Sequence, residues 1–417
     1  MQNKITKIIA EEIKDSRGNP TIKVTVFARP SEVAGTEDIS ASFSVPSGAS
    51  AGVHEAHELR DRDGGVKNAI KKVNDVIAPA LLGQDISNQK EIDGIMIGLD
   101  GTSGKDKLGG NSMIGVSIAC VKTAAKVKNQ EPYQYLQTLA EIAPSRKVPY
   151  LYMNLINGGK HAKNNLAFQE YHIVPDTENI EEAIGIGMRI QNSLKEIIIK
   201  DLGRESVVLG DEGGFAPQTI DIRKPLFYLT EAIKQNDLQN KVRLALDVAA
   251  SSFYKNDIYE IENKNVSKEE LVEIYNSLIE EFNLLSIEDP FDEEDFESFA
   301  RFCFSNSDGS TRILVVGDDL TVTNKVLLKK AIEKRSINAI IIKPNQIGTL
   351  TETLETMKLA RENNMELIVS HRSGETDDDF IADLAYAFRC FGLKAGSPQK
   401  AERMLKYKRL MKIQDDP

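Results

Sequence analysis

Two rhythms of apolar residues divide this chain. In residues 21–26, Ile22, Val24 and Val26 alternate with Thr21, Lys23 and Thr25. That period of two predicts a strand with one buried and one wet face. With ITKIIAEEI before it and the turn DSRGNP between, residues 4–27 read as a hairpin, and ASFSV as a third strand. Helical spacing follows: Val66, Ala69, Ile70, Val73, Ile77, Ala80 and Leu81 mark one apolar face, and residues 113–128 another after the break at Gly109, Gly110 and Asn111. Residues 29–40 read as a long surface loop. Residues 47–52 form a Ser/Gly loop, either a plain turn or a set of backbone donors for an anion or a metal-bound ligand.

Beyond the Pro-containing stretch 143–149 the rhythm changes. LYMNLINGG and FQEYHIVP come first, then a helix near 180–200 and the Gly-rich turn GDEGGFAP. Next come short apolar runs that end in polar residues: RLALD, LLSIE, ILVVGDD, AIIIK, ELIVSH and CFGLK. Within 312–345, strands at 313–316 and 337–342 flank a helix at about 325–334. Apolar runs separated by helices are the pattern of parallel strands buried on both faces. The polar ends Asp247, Glu288, Asp318, Lys343, His371 and Lys394 recur every 23 to 41 residues, as expected of successive strand-helix units. The predicted fold class is therefore α/β, a C-terminal (β/α)8-type barrel over residues 143–417 joined to an α+β N-terminal domain over residues 1–142. In such barrels the C-terminal strand ends carry the chemistry.

Composition narrows the picture without changing it. At 41% hydrophobic and 28% charged residues the chain is ordinarily globular, and no stretch approaches the roughly 20 apolar residues of a membrane span. MQNKITKIIAEEIKDS has no signal-peptide core, so the cytoplasm is the expected compartment. A net charge of −11 disfavours nucleic acid as a partner. Cys120, Cys303 and Cys390 lack metal-ligand spacing and read as buried thiols.

A lone carboxylate at a strand end caps a helix or pairs with a lysine. Asp247, Glu288 and Asp318 on consecutive ends point to a hard divalent cation such as Mg²⁺. Lys343 and Lys394 are base candidates if neighbouring cations lower a lysine pKa. Glu170 and the Asp211-Glu212 pair could hold and deliver a proton if their surroundings raise a pKa, with His161 in support. His161 and His371, taken singly, read first as ordinary core or surface histidines. Arg372 and Ser373 offer donors to a phosphate. The acidic runs at 375–379 and 292–297 read as a helix cap and a solvated helix face, without chemistry.

These motifs together resemble the enolase family. The resemblance runs through DSRGNPT, SVPSGASAG, NLINGGKHA, FQEY, GDEGGFAP, LDVAAS, SIEDPF, GDDLTVTN, KPNQIGTLTET, SHRSGET and KAGSP to AER at Ala401, in order and over essentially the whole chain. It implies Mg²⁺-dependent dehydration of 2-phosphoglycerate to phosphoenolpyruvate in glycolysis. By position it also implies Asp247, Glu288 and Asp318 as metal ligands, Lys343 as the base at C2, and Glu212 as the acid at the C3 hydroxyl, assisted by Glu170 and His161. Gln169, His371, Arg372, Ser373 and Lys394 fall on substrate-contacting positions, and Ser47 in a closing loop that brings a second Mg²⁺ with the substrate. A homodimer or larger homo-oligomer is implied too. Two other readings are a relative acting on another 2-hydroxy acid, against which the retained SHRS speaks, and a scaffold that lost turnover, against which the intact acid, base and metal positions speak. Departures from the family pattern are Ala51, Ser252, Ala395, Ser397 and Lys400, and residues 29–40 look longer than usual.

Overall fold

The computed structural model describes residues 3–30, 37–48, 52–307 and 313–415. The predicted hairpin forms: β1 (Lys4–Lys14) pairs antiparallel with β2 (Pro20–Arg29), and β2 with β3 (Ile39–Ser44). Ile22, Val24 and Val26 lie fully buried under the helix Gly110–Val127, whose residues are nearly all buried. The alternation has one exception, Thr21, which is also buried and gives its hydroxyl to the Val45 carbonyl. The helix expected from Val66 onward runs as Lys67–Lys71, a wider π-type stretch Lys72–Ile77, and Ala78–Leu81. Part of the loop at 29–40, residues 31–36, and residues 49–51 of the Ser/Gly loop lie outside the described residues.

Eight strands among the described residues close into a barrel: β4 (Tyr150–Asn157), β5 (Glu170–Pro175), β6 (Val242–Asp247) and five more that follow an insertion. A separate meander of β7 (Tyr254–Lys255), β8 (Ile258–Ile261) and β9 (Lys264–Val266) is inserted after β6. The remaining barrel strands are β10 (Leu284–Glu288), β11 (Leu314–Gly317), β12 (Ala339–Ile342), β13 (Glu366–Ser370) and β14 (Gly392–Lys394). β5 runs antiparallel to both neighbours, and the other pairings are parallel. Two helices, Ile180–Leu202 and Lys224–Gln235, separate β5 from β6. The expected strands 313–316 and 337–342 thus begin one and two residues later than their apolar runs suggest, because Ile313 and Ile337 pack as core outside the ladder.

Continuous apolar runs follow from burial on both faces. Val316, Ala339, Ile341 and Ile368 fill the barrel interior with Tyr152 and Val174, while Val315, Ile340, Ile342, Leu367 and Val369 belong to the larger core under the helices. All three cysteines are buried, as expected.

The two halves of the chain meet at the site. Ser47 and Gly374 exchange backbone hydrogen bonds of 2.8 and 2.9 Å, and Ser16 N donates to the Glu375 carbonyl at 2.7 Å. Asp93 of the N-terminal half accepts from Thr351 N and Oγ at 2.9 and 2.6 Å.

Candidate active site

Strand register assembles the charges. Glu170 on β5 and Glu288 on β10 each pair with Asp247 on β6, while Lys394 ends β14 beside Ser370 of β13. Asp318, Lys343 and His371 each directly follow a strand. Three buried carboxylates therefore face the buried Lys394 ammonium. Nζ lies 2.8 Å from Asp247 Oδ2, 2.9 Å from Glu288 Oε1 and 3.2 Å from Glu170 Oε2. Asp318 instead holds Lys343 in an ion pair and accepts from Gln346 at 3.0 Å. The predicted acidic trio is thus divided between two lysines.

This placement reverses the expected lysine chemistry. Burial disfavours the Lys343 cation, but Asp318 more than compensates and holds its pKa above the ordinary value. Lys394 is raised well above its ordinary value by Asp247, Glu170 and Glu288 against the pull of burial. Both lysines are therefore cations in the protein alone.

Across the cavity lies a second cluster. His161 Nδ1 is 3.0 Å from Glu170 Oε1 and 3.5 Å from Glu212 Oε1, His371 Nε2 is 3.4 Å from Glu212 Oε1, and His172 Nε2 is 2.8 Å from Glu170 Oε2. Asn154 donates to Glu212 Oε2 at 2.9 Å. Burial pushes both glutamates up; Lys394 and the histidines around Glu170, and His371 and His161 beside Glu212, win and hold both below the usual carboxylate range. The expected raised carboxyl pKa is not found. Burial pulls the His161 pKa down, yet Glu212 and Glu170 raise it overall.

Arg372 also has an internal partner, Glu55, which accepts from Nη1 at 2.9 Å and Nη2 at 3.2 Å. Gln169 donates to Asp247 Oδ2 at 3.3 Å. Gln169 and Ser373 line the same small cavity of about 30 Å³, room for a few waters, as do Lys343, His161 and Glu212. A 280 Å³ chamber adjoins it and shares Gly48, Glu55 and Arg372. Ser47 is buried but stands apart from the carboxylates, its hydroxyl donated to Asp15 Oδ2 at 2.8 Å.

Several participants escaped sequence reasoning. Asp289, at φ +43°, accepts from the backbone of Asp318 and Asp319 at 2.9 and 2.7 Å. Burial first, then Asp319 and Asp318, push its carboxyl well up, and burial with Asp318 pushes Asp319 up to about 8. Their only sequence signal is a second acidic residue at each strand end. Glu375, expected only as part of an acidic helix cap, is buried and pairs with the Lys406 ammonium at 2.9 Å. The run at 292–297 is not a plain solvated face either: Phe296 is core, and Glu293 and Glu294 reach Val53 N and His54 at 3.0 and 2.6 Å.

Comparison with known proteins agrees with this architecture. The family model for the enolase C-terminal TIM barrel domain matches residues 145–416, and that for the enolase N-terminal domain residues 5–136. The chain belongs to the enolase family. It is 44% identical to an enolase of Methanocaldococcus jannaschii, over 99% of this chain and 95% of that protein. It is 42% identical to enolase B of Dictyostelium discoideum and 42% identical to an enolase of Methanococcus aeolicus, with the same coverage. As an enolase it is a lyase, a phosphopyruvate hydratase of glycolysis, acting on a small molecule. Enolases use a divalent metal, and the acidic groups here suit one: oxygen donors dominate, and Asp289, Asp318 and Asp319 bring ligand atoms within 4.8 Å of one another. Burial and then mutual repulsion raise Asp289 and Asp319, and a cation bound among them would offset that repulsion. No described helix is long and apolar enough to cross a membrane.

Proposed function

We propose that this enolase dehydrates 2-phosphoglycerate to phosphoenolpyruvate, reversibly, with Lys343 as the base at C2 and Glu212 as the acid at the C3 hydroxyl. The observation that carries this assignment is their placement: both line one cavity, Lys343 from the end of β12 and Glu212 from the turn beside His161 and His371. Base and acid thus attack from different walls.

Two Mg²⁺ ions are proposed, one held by Asp247, Glu288 and Asp318, the other arriving with substrate near Ser47. A metal held there would supply positive charge to offset the second negative charge developing on the substrate carboxylate, and Asp318, as one of its ligands, would be drawn away from Lys343. The side chains perform the rest. Arg372 and Ser373 hold the phosphate, which displaces Glu55 from the guanidinium. Lys394 and Gln169 orient the carboxylate end. Lys343 takes the C2 proton once Asp318 no longer holds it as a cation, and the small volume of the cavity leaves little room for water beside the carbanionic product of that step. The proton that leaves with the C3 hydroxyl is stored among His161, Glu170 and Glu212 and delivered by Glu212.

A cytoplasmic homodimer or larger homo-oligomer is proposed as the working form, with the domains dividing at 142/143. The family-model boundaries at 136 and 145 support that division. The test of function is the ultraviolet absorbance of the enol phosphate formed from 2-phosphoglycerate, measured with Mg²⁺, with chelator and with Lys343→Ala. Metal-dependent turnover lost in the variant is expected; no turnover by folded, Mg²⁺-loaded protein would overturn the reading.

A further inference from the structure

Arg403 is fully buried near the start of the helix Ala401–Asp415, and its guanidinium lies beneath the active site. Nη1 is 2.5 Å from His371 Nδ1 and donates to the Arg372 carbonyl at 2.6 Å. Nη2 donates to the Ser373 carbonyl at 2.8 Å and reaches the Asp211 carbonyl at 3.5 Å. A guanidinium is a donor only and keeps its charge in proteins. The nitrogen it faces must therefore accept. With Nδ1 accepting, the single ring hydrogen of a neutral His371 belongs on Nε2, a buried atom 3.4 Å from Glu212 Oε1 that makes no hydrogen bond in the protein alone.

The surrounding segment grips the same turn. Ser397 N donates to the Glu212 carbonyl at 2.9 Å and Lys400 Nζ to the Asp211 carbonyl at 2.9 Å. A Cβ on Gly396, which has φ +82°, would stand 2.9 Å from His371 Cε1 and 3.2 Å from Arg403 Cδ, so ring and guanidinium have no slack.

We propose that Arg403 is a positioning residue for the dehydration: it fixes His371 as the Nε2–H tautomer aimed at Glu212 and ties that ring to Arg372 and Ser373. The opposite tautomer would turn a lone pair toward the carboxylate, weakening Glu212 as it becomes an anion after giving up its proton. Burial, with Arg403, keeps the His371 pKa below its ordinary value against Glu212 and Glu170, the carboxylates acting on the ring from the 210–213 turn and from β5. The proposal rests on Glu212 being the acid.

The experiment is ¹⁵N spectroscopy of the histidine rings in the full-length protein with Mg²⁺, using His371→Gln to assign the resonance, together with steady-state kinetics. The wild type is expected to show unprotonated Nδ1 and protonated Nε2, unchanged from pH 6 to 9. Arg403→Met should mix the tautomers or let His371 titrate, and lower kcat roughly 10²- to 10⁴-fold with KM for 2-phosphoglycerate nearly constant. Arg403→Lys should restore part of both signals. A protonated Nδ1 in the wild type overturns the proposal, as does an Arg403→Met protein with unaltered tautomer or kcat. If Arg403→Met does not fold, the wild-type spectrum and Arg403→Lys decide. Full turnover in Glu212→Gln with an Nε2–H ring would instead refute the acid assignment alone.

Discussion

Glu55→Gln removes one charge and nearly preserves shape. Glu55 and Arg372 have side chains only 8% and 5% exposed, and the carboxylate accepts from both terminal nitrogens. Removing one partner of a buried pair costs about 3–5 kcal/mol. The glutamine oxygen and Asn345 Oδ1, 3.1 Å from Arg372, still accept, so the lower end, about 3 kcal/mol, is expected. With 417 residues and about 2.1 cal/mol/K per residue, the unfolding entropy is about 0.9 kcal/mol/K, and Tm should fall by about 3 °C. Phosphate should act in the opposite sense, since it no longer has to displace a carboxylate. At about 100 times its Kd it stabilises by about 2.7 kcal/mol, enough to close the gap. Scanning calorimetry of wild type and variant, with and without inorganic phosphate, reads both effects, and KM for 2-phosphoglycerate should fall in the variant. A variant that melts like the wild type and gains no more from phosphate would refute the view of Glu55 as an internal stand-in for phosphate.

Chelating Mg²⁺ from protein saturated at about 100 times Kd should lower stability by about 2.7 kcal/mol, read as a Tm drop of about 3 °C that added Mg²⁺ reverses. His161 has a raised folded-state pKa, so its stabilisation is complete below the unfolded value near 6.5 and disappears as pH rises through the folded value. Denaturant midpoints should accordingly fall on the alkaline side, and Glu212→Gln should flatten that slope. Gly374→Ala should cost about 1–3 kcal/mol and weaken substrate binding, because the new methyl would meet Asp15, Ser47 and Arg17 at once; thermal melts and KM measure it.

Much of this was legible in the sequence because the barrel is repetitive. Runs such as AIIIK and ILVVGDD state both a doubly buried strand and the charge at its end, and Asp318 and Lys343 lie where those runs place them. β5 was harder, since an antiparallel strand buried on both faces has no alternation to announce its direction. The directions of the lysine and glutamate pKa shifts were not legible, because they depend on which opposite charges gather round each group: Asp318 for Lys343, Lys394 and two histidines for Glu170. Glu55, Asp289 and Arg403 were missed for a related reason. Each acts through a backbone or a side chain distant in sequence. Two of the departures acquire a role in the fold: Ser397 exchanges hydrogen bonds with buried Gln191, and Lys400 holds the Asp211 carbonyl. Nothing in the structure explains Ser252, which is exposed; Ala51 lies outside the described residues.

The pairing of Glu55 with Arg372 spans 317 positions of chain. At about 5–20 residues per second, a ribosome takes roughly 15 to 60 seconds to make the second partner after the first. For that interval the N-terminal half holds the Glu55 carboxylate, in the segment after β3, and a Ser47 backbone edge, with nothing to dock against. The site therefore cannot be completed until the C-terminal strands are made, and a pause between codons 142 and 372 would lengthen the time during which that unfinished edge is open to other nascent chains.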